Sequence, residues 1–312
     1  MDLILHHYEA SAFAEKARLM LGFKGLSWKS VHTPSILPKP DLVALTGGYR
    51  RTPVLQADAD VYCDTRRIAL LLDELAPEPT LTRRDPFTTQ VLTCWCDQTL
   101  FFLALMVVMQ PAAIAHLARS LPPEEVAGFA ADRVRLMQGA TVRVRPPTEA
   151  RSELALALER LERQLSDGRT YLLGGSPCVA DLAAYHPVWM LAGNPGTAPL
   201  LDPYPTLRPW RQRIQAIGHG MRTDISAADA LEVARRSFPR VIEKPVAQEL
   251  DGIVLGERVE VAATDYGMEP TSGALMHADL HEIAIRRTSP AVGEVTVHFP
   301  RSDFRVDRDS SP

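Results

Sequence analysis

Within its first 78 residues the chain switches repeatedly between strand and helix signals, and the order of those signals narrows the possible folds more than any other feature. Leu3-Ile-Leu5 is a short apolar strand ended by His6 and His7. From Phe13 to Phe23 the apolar residues Phe13, Ala17, Met20 and Leu21 recur at helical spacing, and Gly22 and Gly25 close that helix. Trp28 to Val31 reads as a second strand, and Pro34, Pro38 and Pro40 predict irregular chain behind it. Thr52-Pro-Val-Leu55 and Val61-Tyr62 read as an antiparallel hairpin, followed by an amphipathic helix from Ile68 to Leu75 that Pro77 and Pro79 end. A βαβ unit followed by ββα in so short a span predicts a compact α/β domain over residues 1–78.

After Pro79 the texture becomes helical throughout. Stretches near 87–110, 123–139, 149–166, 179–192 and 205–217 show helical spacing between Pro- and Gly-containing breaks, which predicts an all-α domain over 86–225. From about Val246 apolar and polar residues alternate, as in Val259-Glu-Val261, Ile283-Ala-Ile285 and Val295-Thr-Val-His-Phe299. That period of two predicts a small β-rich extension over 238–312, entered through an Ala227–Ser237 helix and ending in a frayed tail from Asp307.

Composition excludes several function classes. A formal net charge of -4 argues against sequence-independent nucleic-acid binding. Met1–Ala10 lacks the basic start of a secretory signal. The most apolar run, Leu100–Met109, is half the roughly 20 residues that a bilayer span needs, and reads as a buried helix. A chain of 312 residues can bury its cores without disulfides or metals. Cys63, Cys94, Cys96 and Cys178 follow no repeated spacing, which suits a reducing, cytoplasmic setting. Cys94 and Cys96, two apart on a helix, face different sides and make no metal pair. His277, His281 and His298 with Asp279 and Glu282 match no ligand set and read as sheet-face residues, so no metal is expected. Lysine is scarce: Lys16, Lys24, Lys29, Lys39 and Lys244 stand against plentiful arginine.

Three local features of the first domain point to one place. Ser11 lies where the first strand hands over to the first helix; it reads either as a plain N-cap or as a hydroxyl placed to donate to a bound thiolate, since a helix N-terminus favours an anion. Thr52-Pro53 stands at a strand entrance, where a cis bond would turn the Thr52 main chain outward and a trans bond would merely start an edge strand. Asp64 is a sound N-cap for the third helix, but Arg66 and Arg67 in its first turn oppose the helix dipole unless an anion docks nearby or both reach solvent.

These pieces, in this order, resemble the cytosolic glutathione transferase superfamily, a thioredoxin-like domain followed by an all-α domain. The resemblance rests on Tyr8-Glu-Ala-Ser-Ala-Phe-Ala-Glu-Lys-Ala-Arg-Leu19, Arg51-Thr-Pro-Val-Leu55, Cys63-Asp-Thr65, Tyr171-Leu-Leu-Gly174 and Val179-Ala-Asp-Leu182, and covers residues 1 to about 220. It implies that Ser11 hydrogen-bonds the glutathione sulfur, with Tyr8 as the rival. It further implies that Thr52, before a cis Pro53, pairs with the cysteinyl main chain, and that Asp64 and Thr65 hold the γ-glutamyl end. Arg51 or Arg50 would meet the glycyl carboxylate. Trp95, Phe102 and His116 would line the pocket of a hydrophobic electrophile. With alanine at position 14 and serine at 11, dithiol redox chemistry is not expected. Ala12 stands where such serines usually precede proline, and Cys178 where the helical domain usually caps with Ser or Thr.

The implied function is a homodimeric, glutathione-dependent transferase that binds neither nucleic acid nor membrane. The alternatives are a non-catalytic ligand-binding or interaction scaffold, and a glutathione-dependent isomerase, dehalogenase or peroxidase. Lowering a thiol pKa by two units takes about 2.7 kcal/mol. One hydroxyl bond to a charged acceptor supplies roughly 1.5–3 kcal/mol, and the helix terminus adds up to about 2.

Overall fold

In the computed structural model, which describes residues 1–82, 86–119 and 123–309, the alternating N-terminal signals become β1 (Leu3–His7), α1 (Ala12–Phe23), β2 (Ser27–His32), α2 (Pro40–Thr46), β3 (Val54–Ala57), β4 (Asp60–Cys63) and α3 (Thr65–Leu75). The helix α2 corrects the expectation of irregular chain after the three prolines. Pro40 takes the first helical turn, where the N–H it lacks has no partner anyway.

The helical part runs through α4 (Pro86–Trp95), a π-helical turn (Cys96–Leu100) and α5 (Phe101–Val108) as one continuous stretch. It continues with α6 (Pro111–Arg119), α7 (Pro123–Leu136), α8 (Pro147–Leu165), α9 (Val179–Ala192) and α10 (Leu207–Gln215). By length and composition the 86–108 stretch is long and apolar enough to cross a membrane. Here it packs against α8 and α9, burying Leu100, Phe102, Leu103 and Ala104.

Beyond it come β5 (Met221–Asp224), α11 (Ala227–Arg236), β6 (Arg258–Ala263), β7 (Thr271–Ala278), β8 (Glu282–Ser289), β9 (Gly293–Pro300) and β10 (Phe304–Arg308). All strands join one ten-stranded sheet in the order β10-β6-β7-β8-β9-β4-β3-β1-β2-β5. The β-rich extension is therefore stitched onto the thioredoxin-like sheet: β9 pairs in parallel with β4, Val61 facing Val297. At the far edge β5, four exposed residues with no apolar alternation, pairs in parallel with β2. Asp307 and Arg308 belong to β10 and not to a frayed tail; residues 310–312 lie outside the described residues. One apolar cluster runs through the join, uniting Leu42, Tyr49, Val54 and Val61 with Val259, Leu275, Val297 and Phe304.

A buried charged cluster pins the same seam. His298 of β9 stacks on Tyr62 of β4, centroids 4.4 Å apart and planes 11° off parallel. Its Nε2 lies 2.9 Å from Asp60 Oδ1, its Nδ1 bonds Glu282, and Arg67 reaches Glu282 at 2.7 Å. Burial alone would lower the imidazole pKa, but bonds to Asp60 and Glu282 outweigh it and raise it above its ordinary 6.5. A group whose pKa rises on folding stabilises the fold below its unfolded pKa, and that contribution is lost as pH climbs through the folded value. Stability should thus decline as pH rises from about 6.5 through the folded value, and His298→Gln should flatten that decline. Urea unfolding midpoints measured across pH check it; parallel curves for both proteins would refute the assignment.

Candidate functional site

Ser11 caps α1, its Oγ accepting from the Ala14 N–H at 3.2 Å. Accepting that bond leaves the hydroxyl hydrogen free, and among the described bonds it is donated to nothing. The residue lines an apolar cavity of about 210 Å³, as does Tyr8. Capping the helix and lining the cavity therefore coexist in one residue. The Thr52–Pro53 peptide is cis, and Thr52 precedes β3, outside the ladder that begins at Val54. Thr52 lines both the apolar cavity and a smaller polar pocket of about 40 Å³.

That polar pocket collects Asp64 and Thr65 from the start of α3 and Asp97 and Gln98 from the π-helical turn. Such turns recur at functional sites because the extra residue re-aims side chains. Asp64 has φ +72°, a region L-residues rarely adopt and one that persists where the surrounding structure holds it. Its Oδ1 accepts from the Arg66 N–H at 2.9 Å. Burial would raise this carboxyl, but Arg66, with Arg51 behind it, holds it down at about 2. Thr65 Oγ1 accepts from Lys16 Nζ at 3.0 Å, and the same ammonium lies 2.6 Å from Asp97 Oδ2.

The two arginines singled out for a carboxylate are already paired within the chain. Arg50 pairs with Asp132, and with Glu269 at 3.3 Å. Arg51 pairs with Asp265 and donates to the Tyr266 carbonyl. The cation without a carboxylate partner among the described residues lining the cavity is Lys39. It is only 4% exposed and donates to the Arg50 carbonyl at 3.2 Å. Burial, followed by the charges of Arg133 and Arg50, draws its pKa from 10.5 to about 7. Sequence reasoning passed over Lys39 among its prolines; its one signal was the scarcity of lysine.

Phe102 lines the apolar cavity with Phe101, Met106, Phe129 and Met190, whereas Trp95 and His116 are not among its lining residues. Trp95 packs on the main helical core, and Cys94 borders the polar pocket. Asp265 and Tyr266, from the extension, were not foreseen at all. They reach the site only because β6 and β7 are sewn to the sheet.

Residues 5–80 match the glutathione S-transferase N-terminal domain, and residues 114–213 the glutathione S-transferase C-terminal domain. A GST-like protein from Pseudomonas syringae is similar over 98% of this chain and 99% of its own, with 38% identity and a TM-score of 0.82. The chain belongs to the glutathione S-transferase superfamily. More distant superfamily folds align with 69% of this chain. The β-etherase LigF from Sphingobium sp. strain SYK-6 does so over 96% of its own length, at 22% identity and a TM-score of 0.51. A glutathione S-transferase from Sinorhizobium meliloti 1021 does so over 89% of its length, at 19% and 0.52. No curated protein matches the sequence. The Pseudomonas alignment, covering 98% of the chain, takes in the β-rich extension.

Proposed function

We propose that this chain is a glutathione transferase-like enzyme that stabilises a bound thiolate with Ser11 and presents it to a hydrophobic electrophile in the cavity walled by Phe101 and Phe102. The observation that carries the reading is that Ser11, the N-cap of α1, lines the same cavity as Thr52, with the apolar wall of Phe101 and Phe102 across it. Bound glutathione supplies the sulfur nucleophile. Thr52 offers main-chain groups to its cysteinyl part, and Asp64 and Thr65 face its γ-glutamyl end. Lys39 replaces Arg51 as the receptor for its glycyl carboxylate, because Arg51 is already neutralised by Asp265. The four cysteines are unpaired, which supports a reducing, cytoplasmic setting. Phe87 and Val91, one turn apart and exposed on α4, support a homodimer of the kind the superfamily commonly forms.

Calorimetric titration with glutathione, followed by ultraviolet titration of the bound thiol, tests the reading. Binding with the thiol pKa lowered by about two units from its ordinary 8.5 or so is expected. Absence of binding at millimolar glutathione would end it. Binding with an unshifted thiol would favour a scaffold without turnover, a reading that the internal Asp64–Arg66 and Asp265–Arg51 pairs support.

Lys39 adds a pH dependence. Only its ammonium attracts a carboxylate, and it is charged below about 7, with Arg50, Arg133, Asp132 and Glu125 around it. S-methylglutathione, which has no thiol to ionise, should bind more weakly as pH rises through that value, and Lys39→Arg should remove the trend. A flat wild-type profile would show that the carboxylate lies elsewhere.

A further inference from the structure

The loop between β6 and β7 leaves the extension and enters the cleft where the thioredoxin-like and helical parts meet. It is tied from both sides. The Gly267 N–H donates to the Leu136 carbonyl at 2.8 Å, and the Asp265 carbonyl accepts from the Thr141 N–H at 2.8 Å. The Thr264 N–H donates to the Asp303 carbonyl at 2.9 Å. Arg51 grips the Asp265 carboxylate and the Tyr266 carbonyl. Gly267 has φ +52°, a left-handed conformation that favours glycine, and a Cβ there would press on the end of the Leu136 side chain at 2.8 Å.

This anchoring fixes the Tyr266 ring. The Arg51 guanidinium carbon lies 3.8 Å from its centroid, and the Phe102 ring meets it edge-on at 5.4 Å. Phe13, Arg51, Thr52 and Tyr266 line both the polar pocket and the apolar cavity, and so form the boundary between them. Three of these belong to the superfamily frame. Tyr266 is the contribution of the extension.

We propose that Tyr266 is a specificity-determining residue. Its clamped ring sets the width of the group that the sulfur can carry into the apolar cavity, so that the site favours electrophiles that are unbranched or flat at the carbon attacked. This inference rests on the glutathione reading above. Its physical basis is that a ring held by a guanidinium on one face and an aromatic at its edge cannot swing aside, and cavity walls that do not yield exclude by shape. Arg51, charge-neutralised by Asp265, acts as the ring's support.

Binding of conjugates tests it without requiring turnover. Dissociation constants for glutathione, S-hexylglutathione and S-tritylglutathione are to be measured by calorimetry on the full-length protein and on Tyr266→Phe, Tyr266→Leu and Tyr266→Ala, with folding checked by circular dichroism. The wild type should favour the hexyl over the trityl conjugate by about tenfold or more, the scale of discrimination an apolar pocket achieves. Tyr266→Phe should keep that ratio. Tyr266→Ala should bring it within about threefold, and Tyr266→Leu should fall between and serve if the alanine variant does not fold. An unchanged ratio in both truncated variants overturns the proposal. Tighter binding of glutathione itself in those variants would make the loop a plug and overturn it equally. Wild-type protein that binds none of the three ligands would fail on the glutathione reading first and take this inference with it. Glutathione binding with an unchanged ratio would sink the role of Tyr266 alone.

Discussion

Ser11→Ala is expected to raise the pKa of enzyme-bound glutathione by about one to two units and to lower kcat/KM at neutral pH on the order of 10- to 100-fold. The hydroxyl's bond to a charged sulfur contributes roughly 1.5–3 kcal/mol, and each pKa unit corresponds to about 1.4 kcal/mol. The same oxygen accepts from the Ala14 N–H, so alanine also weakens the cap of α1, by about 1 kcal/mol. The two effects separate with glycine, which costs a cap only a few tenths of a kcal/mol but removes the hydroxyl equally. If thiolate stabilisation is the function, Ser11→Gly and Ser11→Ala should lose activity alike while differing in denaturation midpoint. Activity that follows the midpoint would reduce Ser11 to a cap. Tyr8→Phe is the companion measurement, since Tyr8 lines the same cavity; a larger loss there would pass the sulfur to the phenol.

The largest stability effect is expected at Asp181. The departure at Cys178, a weak acceptor in the capping position of α9, predicts a weakened cap. In the structure Cys178 and Asp181 still form a capping box, and the Cys178 thiol donates to the Asp181 carboxyl at 3.6 Å. The fully buried Asp181 carboxylate accepts from the Leu172 N–H at 2.8 Å, the Trp210 Nε1–H at 3.1 Å and the Cys178 N–H at 3.2 Å. It thus ties the Tyr171–Gly174 turn, the start of α9 and α10 into one unit. Asp181→Ala strands these three donors out of reach of water, each costing about 1–3 kcal/mol, for a loss of roughly 3–9 kcal/mol. Against a total stability of about 5–15 kcal/mol, that leaves little folded protein. Guanidinium unfolding measures it, and a loss under about 1 kcal/mol would show that the network relaxes or takes in water. Asp181→Asn keeps one acceptor oxygen and should lose less.

Much of the fold was legible because it is written in local patterns. The helical period from Phe13, the capping position of Ser11, the hairpin about Val54 and Val61, and the alternation from Val295 to Phe299 each depend on residues a few positions apart. The same locality explains α2: Pro40 forbids helix behind it but not ahead of it. The strand β5 left no trace, since its exposed Met221–Asp224 has no apolar alternation and forms only because β2 offers it an open edge. Ser11, Thr52, Asp64 and Thr65 could be singled out because a strand end, a proline bend and a helix start announce them, and the structure sets them around the two hollows. Trp95 and His116 were plausible by residue type, but an aromatic on a helix reads the same whether it faces a core or a cavity.

The sequence by itself determined the order of elements, the superfamily and the short polar motifs, because periodicity, caps and turns act over distances the chain spells out directly. Only the tertiary structure decided that β9 docks on β4, that Asp265 already occupies Arg51, that Lys39 is buried with no carboxylate partner among the described residues lining the cavity, and that Tyr266 borders both hollows. Each of those depends on where a residue's charge, burial or unpaired edge meets a partner remote in sequence, as Arg51 does some two hundred positions away. No local pattern encodes such a meeting.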